Sequence, residues 1–270
     1  MNKALVIDTL LDYFISENSQ FDKSIIPDDY YGKKRLLRAL MNVRESKPLE
    51  DSTLKLLNAF LKNEREEEGI VDPYKLSTVF DKFQMTSEKQ SKNLVLWHGD
   101  ITTIAADAIV NAANSKMRGC FIPLHNCIDN AIHSAAGIEL RLECDMLMRQ
   151  QDFDEPTGQA QITRAYNLPS KYVLHTVGPI IHGDVSETDR VLLKSCYTSC
   201  LEKAAEYDDI KTIAFCCIST GEFRFPKSIA SKIAVETVCD WLERYPNKFD
   251  RIIFNVFSEE DYNEYAKFFK

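Results

Sequence analysis

Asp107-Ala108-Ile109-Val110-Asn111-Ala112-Ala113-Asn114 begins as a short apolar run and ends on two amide side chains. An apolar run of this length is what a strand buried on both faces of a sheet requires. Similar β-rich runs occur at 94–97, 161–165, 172–176, 212–217 and 252–257, with a strand expected here at 108–111. Between them lie longer stretches of helical character at 128–150, 189–207, 227–244 and 259–269. Strands alternating with helices specify a three-layer α/β domain with a largely parallel sheet. Ligands in such domains bind beyond the carboxyl ends of the strands. The unusual residues gather there: Gly99-Asp100-Ile101-Thr102, the segment from Asn111 to Cys127, and Ser219-Thr220-Gly221-Glu222-Phe223.

Upstream of this alternation the pattern is helical. Leu10, Leu11, Phe14 and Ile15 share one helix face, Leu36, Leu37, Leu40 and Met41 another, and Leu54, Leu57, Ala59 and Leu61 a third. No glycine falls between Gly32 and Gly69. The polar segment 84–93 reads as a linker. The expected division is a helical N-terminal extension over residues 1–90 and an α/β domain over 91–270.

The chain of 270 residues is 44% hydrophobic and carries a net charge of −8. That charge opposes sequence-independent nucleic-acid binding, which depends on Lys and Arg neutralising phosphates. A small anion remains possible, since backbone amides hold phosphate without basic side chains. No apolar run approaches the ~20 residues of a membrane span, and no secretory signal is evident. Eight cysteines without an export signal imply a reducing, cytoplasmic setting, where thiols or metal ligands are expected rather than disulfides. Neither a G-x-G-x-x-G nor a Walker A loop occurs, which argues against dehydrogenase and P-loop chemistry.

Gly119-Cys120-Phe121-Ile122-Pro123-Leu124-His125-Asn126-Cys127 places two thiols and an imidazole on one loop before a helix. Cys120, His125 and Cys127 suit zinc, and three protein ligands leave a tetrahedral ion one open position. The bland alternative is that both cysteines are small buried hydrophobes and His125 a surface residue. A closed, structural site needs a fourth ligand, and His133, Cys144, Cys216 and Cys217 are candidates. Asp129 is either a carboxylate at the helix start or a general base or orienting group. His133, one turn later, reads as a packed, hydrogen-bonded histidine rather than a catalytic one. Asp100 fits a simple turn or an acceptor for an exocyclic amine. The loop at 219–223, between an apolar run and Pro226, presents amides to an anion or merely connects two elements. Cys196, Cys200 and Cys239 read as helix packing, Cys216 and Cys217 as the end of a strand, and Trp97 and Trp241 as core.

The loops after the first, second and fifth strands, together with Ile128-Asp129-Asn130-Ala131-Ile132-His133-Ser134-Ala135-Ala136-Gly137 and Tyr172-Val173-Leu174-His175-Thr176-Val177-Gly178-Pro179, resemble the macrodomain family, the ADP-ribose-binding fold. The resemblance spans residues 94–270. It implies an α/β/α sandwich with a mixed, largely parallel sheet. It places Asp100 and Ile101 at adenine, and Asn114 at the distal ribose. Ser219, Thr220, Gly221, Glu222 and Phe223 would surround the diphosphate and ribose, and Phe257, at the end of the last strand, would lie against adenine. Asp129 matches the family's helix aspartate, with Asn114 and Asp129 as the catalytic pair.

Where hydrolases of the family usually carry a glycine-rich loop, this chain keeps Gly119 and holds Cys120, His125 and Cys127. That pattern resembles the zinc-dependent branch, whose members carry a helical N-terminal extension. The branch implies a zinc cofactor and removal of ADP-ribose from modified protein side chains. It also implies partners of two kinds, a lipoylated carrier protein and a sirtuin-type ADP-ribosyltransferase. Two roles for zinc stay open, activating water or polarising a ribose hydroxyl. Two other activities compete with protein-ADP-ribose hydrolysis: a non-catalytic ADP-ribose reader, and a hydrolase of a small derivative such as O-acetyl-ADP-ribose.

Overall fold

A computed structural model of the protein describes residues 3–17, 22–84 and 92–270. Of the segment expected to be a linker, residues 85–91 lie outside the described residues.

The N-terminal part consists of α1 (Lys3–Ser16), α2 (Tyr30–Val43), α3 (Asp51–Glu68) and the short α4 (Val79–Phe83). Asp29 caps α2 by accepting the Gly32 amide at 2.8 Å, a contact worth ~1 kcal/mol. Ile7, Leu10, Leu11, Leu37 and Leu57 from α1–α3 form a buried cluster that also takes in Ile138. The helix faces read from the sequence therefore meet one another, except that Ala59 is exposed and Phe60 takes the buried position beside it.

Six strands follow: β1 (Leu94–His98), β2 (Ala108–Ala113), β3 (Ala160–Arg164), β4 (Tyr172–Val177), β5 (Thr212–Phe215) and β6 (Arg251–Val256). They form one sheet in the order β1-β6-β5-β2-β4-β3. Every pairing is parallel except that of β3 with β4 at the edge. Helices α5 (Ile128–Ala136) and α6 (Ile138–Gln151) pack against β2 and β3, and α2 and α3 add a further layer on α5. On the opposite face run α7 (Glu187–Ala205), α8 (Lys227–Arg244) and α9 (Glu259–Ala266), each packed on the next. The expected α/β/α architecture with a mixed, largely parallel sheet is what the chain adopts.

Asp107 ties three strand starts together. Its Oδ2 accepts the amides of Lys211 and Thr212 at 2.8 and 2.9 Å, and its Oδ1 meets Lys171 Nζ at 2.8 Å. The amide of Tyr172 donates to its carbonyl at 3.0 Å. The carboxylate and carbonyl of Asp107 together thereby link the starts of β2, β4 and β5.

Three expectations about boundaries are corrected. The helix expected over 128–150 is two helices, because Gly137 has φ +91° and breaks the hydrogen-bond ladder. A Cβ there would lie 3.0 Å from Asn167 Nδ2 and from Leu61 Cδ1. The strand expected to end at Cys217 ends at Phe215, so Cys216 and Cys217 lead into the following loop, where Ser219 adopts φ +66°. The last strand ends at Val256, so Phe257 lies beyond it and is 77% exposed.

Candidate functional site

The loop that leaves β2 and enters α5 brings Cys120, His125 and Cys127 together. One ligand atom from each lies within 4.8 Å of the other two. Cys127 is the N-cap of α5, its Sγ accepting the Asn130 amide at 3.4 Å. The cap is thus Cys127, and Asp129 is a first-turn carboxylate at the helix start, one of the two positions expected for it. Burial drives the Cys127 thiol's pKa up, and the nearby Cys120 and Asp129 push the same way. His125 Nδ1 is buried and has no hydrogen-bond partner, while Nε2 lies 3.6 Å from Glu222 Oε1. Thiols crowded beside a carboxylate, with an orphaned imidazole nitrogen, form a donor set that a divalent cation would satisfy. Among the described residues, none of the four proposed extra ligands joins this group: His133 and Cys144 sit with His175 in a separate, fully buried cluster.

Asp129 projects from the first turn of α5 and is 4% exposed. Asn111 Nδ2 donates to its Oδ1 at 2.8 Å, and Asn114 Nδ2 to its Oδ2 at 3.2 Å. The amides that close the 107–114 stretch therefore orient this carboxylate. Burial raises its pKa to about 6 against the opposing effects of Asn111, Arg141 and Asn114. His133 Nε2 is 3.5 Å from Asp129 Oδ1. Burial, then the charges of His175 and Arg141, hold the His133 imidazole well below its usual pKa. The ring is packed as expected from the sequence, but neither of its nitrogens has a hydrogen-bond partner among the described residues, so the expected hydrogen bond is absent.

Behind Asp129 runs a polar chain that the sequence reading missed. Asn111 Nδ2 also approaches His175 Nδ1 at 3.2 Å, and His175 Nε2 approaches Thr163 Oγ1 at 2.9 Å. An amide nitrogen can only donate, so with Asn111 Nδ2 on this side His175 accepts at Nδ1 and carries its proton on Nε2. The register pairing of Asn111 with His175 across β2 and β4 creates this contact, and a motif read along one strand cannot show it.

The loop after β5 leaves several polar groups without partners. The amides of Gly221, Glu222 and Phe223 donate to no protein acceptor among the described residues, and Ser219 Oγ is buried without a partner. Unspent amides in a tight loop form a concave positive site. Gly178, after β4, permits this loop's approach, since a Cβ there would lie 1.9 Å from Ser219 Oγ. Phe223 and Ile181 are joined by a 2.9 Å backbone hydrogen bond, which fixes the loop's outer side.

The remaining residues lie at the same end of the sheet. Asp100 Oδ1 accepts the Thr102 amide and hydroxyl at 2.8 and 2.7 Å. The turn role is therefore real, and Oδ2 remains for a ligand among the described residues. Ile101 is 2% exposed, which limits it to an edge contact. Asn114 spends its amide on Gly119 O, at 3.2 Å, and on Asp129. Cys196 and Cys200 are buried packing residues, as is Trp241; Trp97 only borders the core.

A Macro domain family model matches residues 110–234. A protein-ADP-ribose hydrolase of Treponema medium is 48% identical over 258 residues, 96% of this chain and 95% of that one. The chain belongs to the macrodomain family. This macrodomain stands among relatives named for protein-ADP-ribose hydrolysis. A Fusarium oxysporum protein named as a probable bifunctional ADP-ribose hydrolase/ADP-ribosyltransferase is 36% identical; the match covers 98% of this chain and 48% of that protein. The crystal structure of the Trypanosoma brucei macrodomain with ADP-ribose is similar at a TM-score of 0.66 and 29% identity, over 87% of this macrodomain and 95% of that chain. Among the described residues, no helix is long and apolar enough to cross a membrane.

Proposed function

We propose that this macrodomain is a zinc-dependent hydrolase that releases ADP-ribose from modified protein side chains, with Cys120, His125 and Cys127 as the metal ligands. The observation that carries the reading is the meeting of the two loops: Glu222, on the anion-binding loop, reaches His125, on the thiol loop. A diphosphate held by the amides of 221–223 would extend its distal ribose toward Asp129 and the thiol-imidazole cluster.

The donor set fits zinc in chemistry and proximity, and the partnerless His125 Nδ1 supplies the imidazole donor. Bound there, the metal supplies a positive charge with one open position for a substrate or water oxygen. The chain's own residues do the rest. Asp100 binds the adenine end and the amides of 221–223 the diphosphate, and this remote binding energy orients the reacting carbon. Asn111 and Asn114 aim the Asp129 carboxylate, which orients a water and takes its proton as the water oxygen bonds to the anomeric carbon of the distal ribose. The bond from that carbon to the side-chain oxygen breaks, its electron pair leaves with the side-chain carboxylate, and Asp129 passes the water's proton to solvent. A carboxylate ester is the proposed linkage. Phe257, exposed beyond β6, is the proposed lid on adenine.

Residues 1–90 are the proposed helical extension and 91–270 the catalytic domain. An ADP-ribosyltransferase of sirtuin type is the proposed source of the modification and a lipoylated carrier protein the proposed target. A relative that joins the two activities' names in one chain supports the first of these. Eight free cysteines support a reducing, cytoplasmic setting.

The test is release of free ADP-ribose from a mono-ADP-ribosylated protein under single-turnover conditions. Chelation should abolish release and zinc should restore it in the wild type, but not in Cys127→Ala. Undiminished turnover by metal-free Cys127→Ala would overturn the metal assignment. Binding without release would make the protein a reader, and release only from O-acetyl-ADP-ribose would move the substrate to small molecules.

A further inference from the structure

We propose that Asn42 and Arg38, on α2 of the N-terminal extension, are positioning residues that hold the 119–127 loop in its ligand-gathering shape. The inference rests on reading that loop as a metal site, and it gives the extension a direct role in the chemistry.

The loop contains little regular structure of its own. Its ends are fixed by β2 and α5, but its middle needs outside anchors. Leu124, at the tip, has φ +55°, a conformation that a branched side chain reaches only at a cost. Its amide donates to Asn42 Oδ1 at 3.0 Å. Asn42 is 1% exposed, and its Nδ2 donates to Ser134 Oγ on α5 at 3.0 Å. A single α2 side chain therefore pins the loop tip to the helix that carries Asp129.

Arg38, one turn earlier on the same face of α2, provides the second anchor. Its Nη2 donates to Asn130 Oδ1 at 2.8 Å. Asn130 is fully buried and faces the loop twice, with Nδ2 on Ile122 O at 3.1 Å and its backbone amide on Cys127 Sγ at 3.4 Å. Arg38 thus fixes the side chain of the residue whose backbone caps a metal-ligand thiol. Arg141 closes the assembly from α6. Its Nη1 donates to the carbonyls of Met41 and Asn42 at 3.1 and 3.0 Å, its Nε to Arg118 O at 2.8 Å, and its guanidinium lies over the Phe121 ring at 4.2 Å. The end of α2 and the start of the loop share one buried cation.

These contacts touch the loop on both sides of His125. Outer groups that orient metal ligands usually matter by 10- to 100-fold in metal affinity, and about that loss is expected here.

The experiment compares the full-length wild type with Asn42→Ala, Arg38→Ala and Leu10→Ala. Leu10 is fully buried in the same helical layer, so its truncation controls for lost packing. Zinc affinity is read by competition with a chelating indicator. The exchange rate of the Leu124 amide is read in metal-free protein. Asn42→Ala should bind zinc about 10- to 100-fold more weakly and lose protection at Leu124. Leu10→Ala should change neither beyond about twofold, despite a lower melting temperature. Arg38→Ala, at a half-exposed side chain, should weaken zinc in the same direction and keeps the test open should Asn42→Ala fold poorly. Wild-type affinity in folded Asn42→Ala and Arg38→Ala, or equal weakening in Leu10→Ala, overturns the inference alone. A wild type that takes up no stoichiometric zinc overturns the metal reading, and the inference with it.

Discussion

Glu222 Oε1 lies 3.6 Å from His125 Nε2, joining loops that are about a hundred residues apart in the chain. Metal-bound histidines usually present their second nitrogen to a carboxylate or carbonyl, which fixes ring orientation. The Nδ1 of His125 is buried without a hydrogen-bond partner. Glu222→Gln should therefore weaken zinc binding about tenfold, measured by chelator competition. If zinc affinity holds and only KM for the modified protein rises, Glu222 serves the substrate and not the histidine.

Asp129→Asn should separate binding from chemistry. The amide keeps the shape but cannot take a proton, and it faces two amide donors, Asn111 and Asn114. Single-turnover release should fall about 10²- to 10⁴-fold. Affinity for free ADP-ribose, measured by calorimetry, should stay within a few-fold. A parallel loss of both would assign Asp129 to ligand binding.

Gly178→Ala places a methyl where Ser219 Oγ now sits. The loop after β5 must then move, and its unspent amides move with it. ADP-ribose binding should weaken by at least tenfold, roughly the loss of one or two charge-assisted hydrogen bonds, while zinc content stays at wild-type level. Intact ADP-ribose affinity would remove the anion from this loop.

Asp107 should dominate one limb of the stability profile. Burial raises its pKa, but the hydrogen bonds from Lys171, Lys211 and Thr212 outweigh it, and the net shift is downward. A carboxyl with a depressed folded-state pKa contributes stability that is complete above its ordinary value near ~4 and is lost as pH falls through the folded-state value. Urea unfolding should show Asp107→Asn less stable by ~1–3 kcal/mol at neutral pH, with the difference shrinking toward pH ~3. A constant difference across that range would assign the loss to packing.

Much of the fold was legible because apolar runs and helical spacing are local properties. The helix over Lys227–Arg244 has the expected bounds, and each expected strand exists within a few residues. The errors fall where one residue's backbone overrides the pattern: Gly137 splits a helix whose side-chain periodicity runs on unbroken, and the left-handed Ser219 follows a strand that ends earlier than its apolar composition. The thiol-imidazole loop was legible for the same reason, since its three donors are neighbours in the chain.

The sequence by itself determined the sandwich, the ligand-rich loop and the residues able to form an anion cradle, because each depends on composition over a short stretch. Only the tertiary structure decided that Asn111 and His175 stand behind Asp129, that Glu222 meets His125, and that α2 holds the loop tip through Asn42. Those contacts join residues far apart in sequence, and their energies depend on burial and on unpaired donors. Strand register and helix docking create both, and no local pattern encodes them.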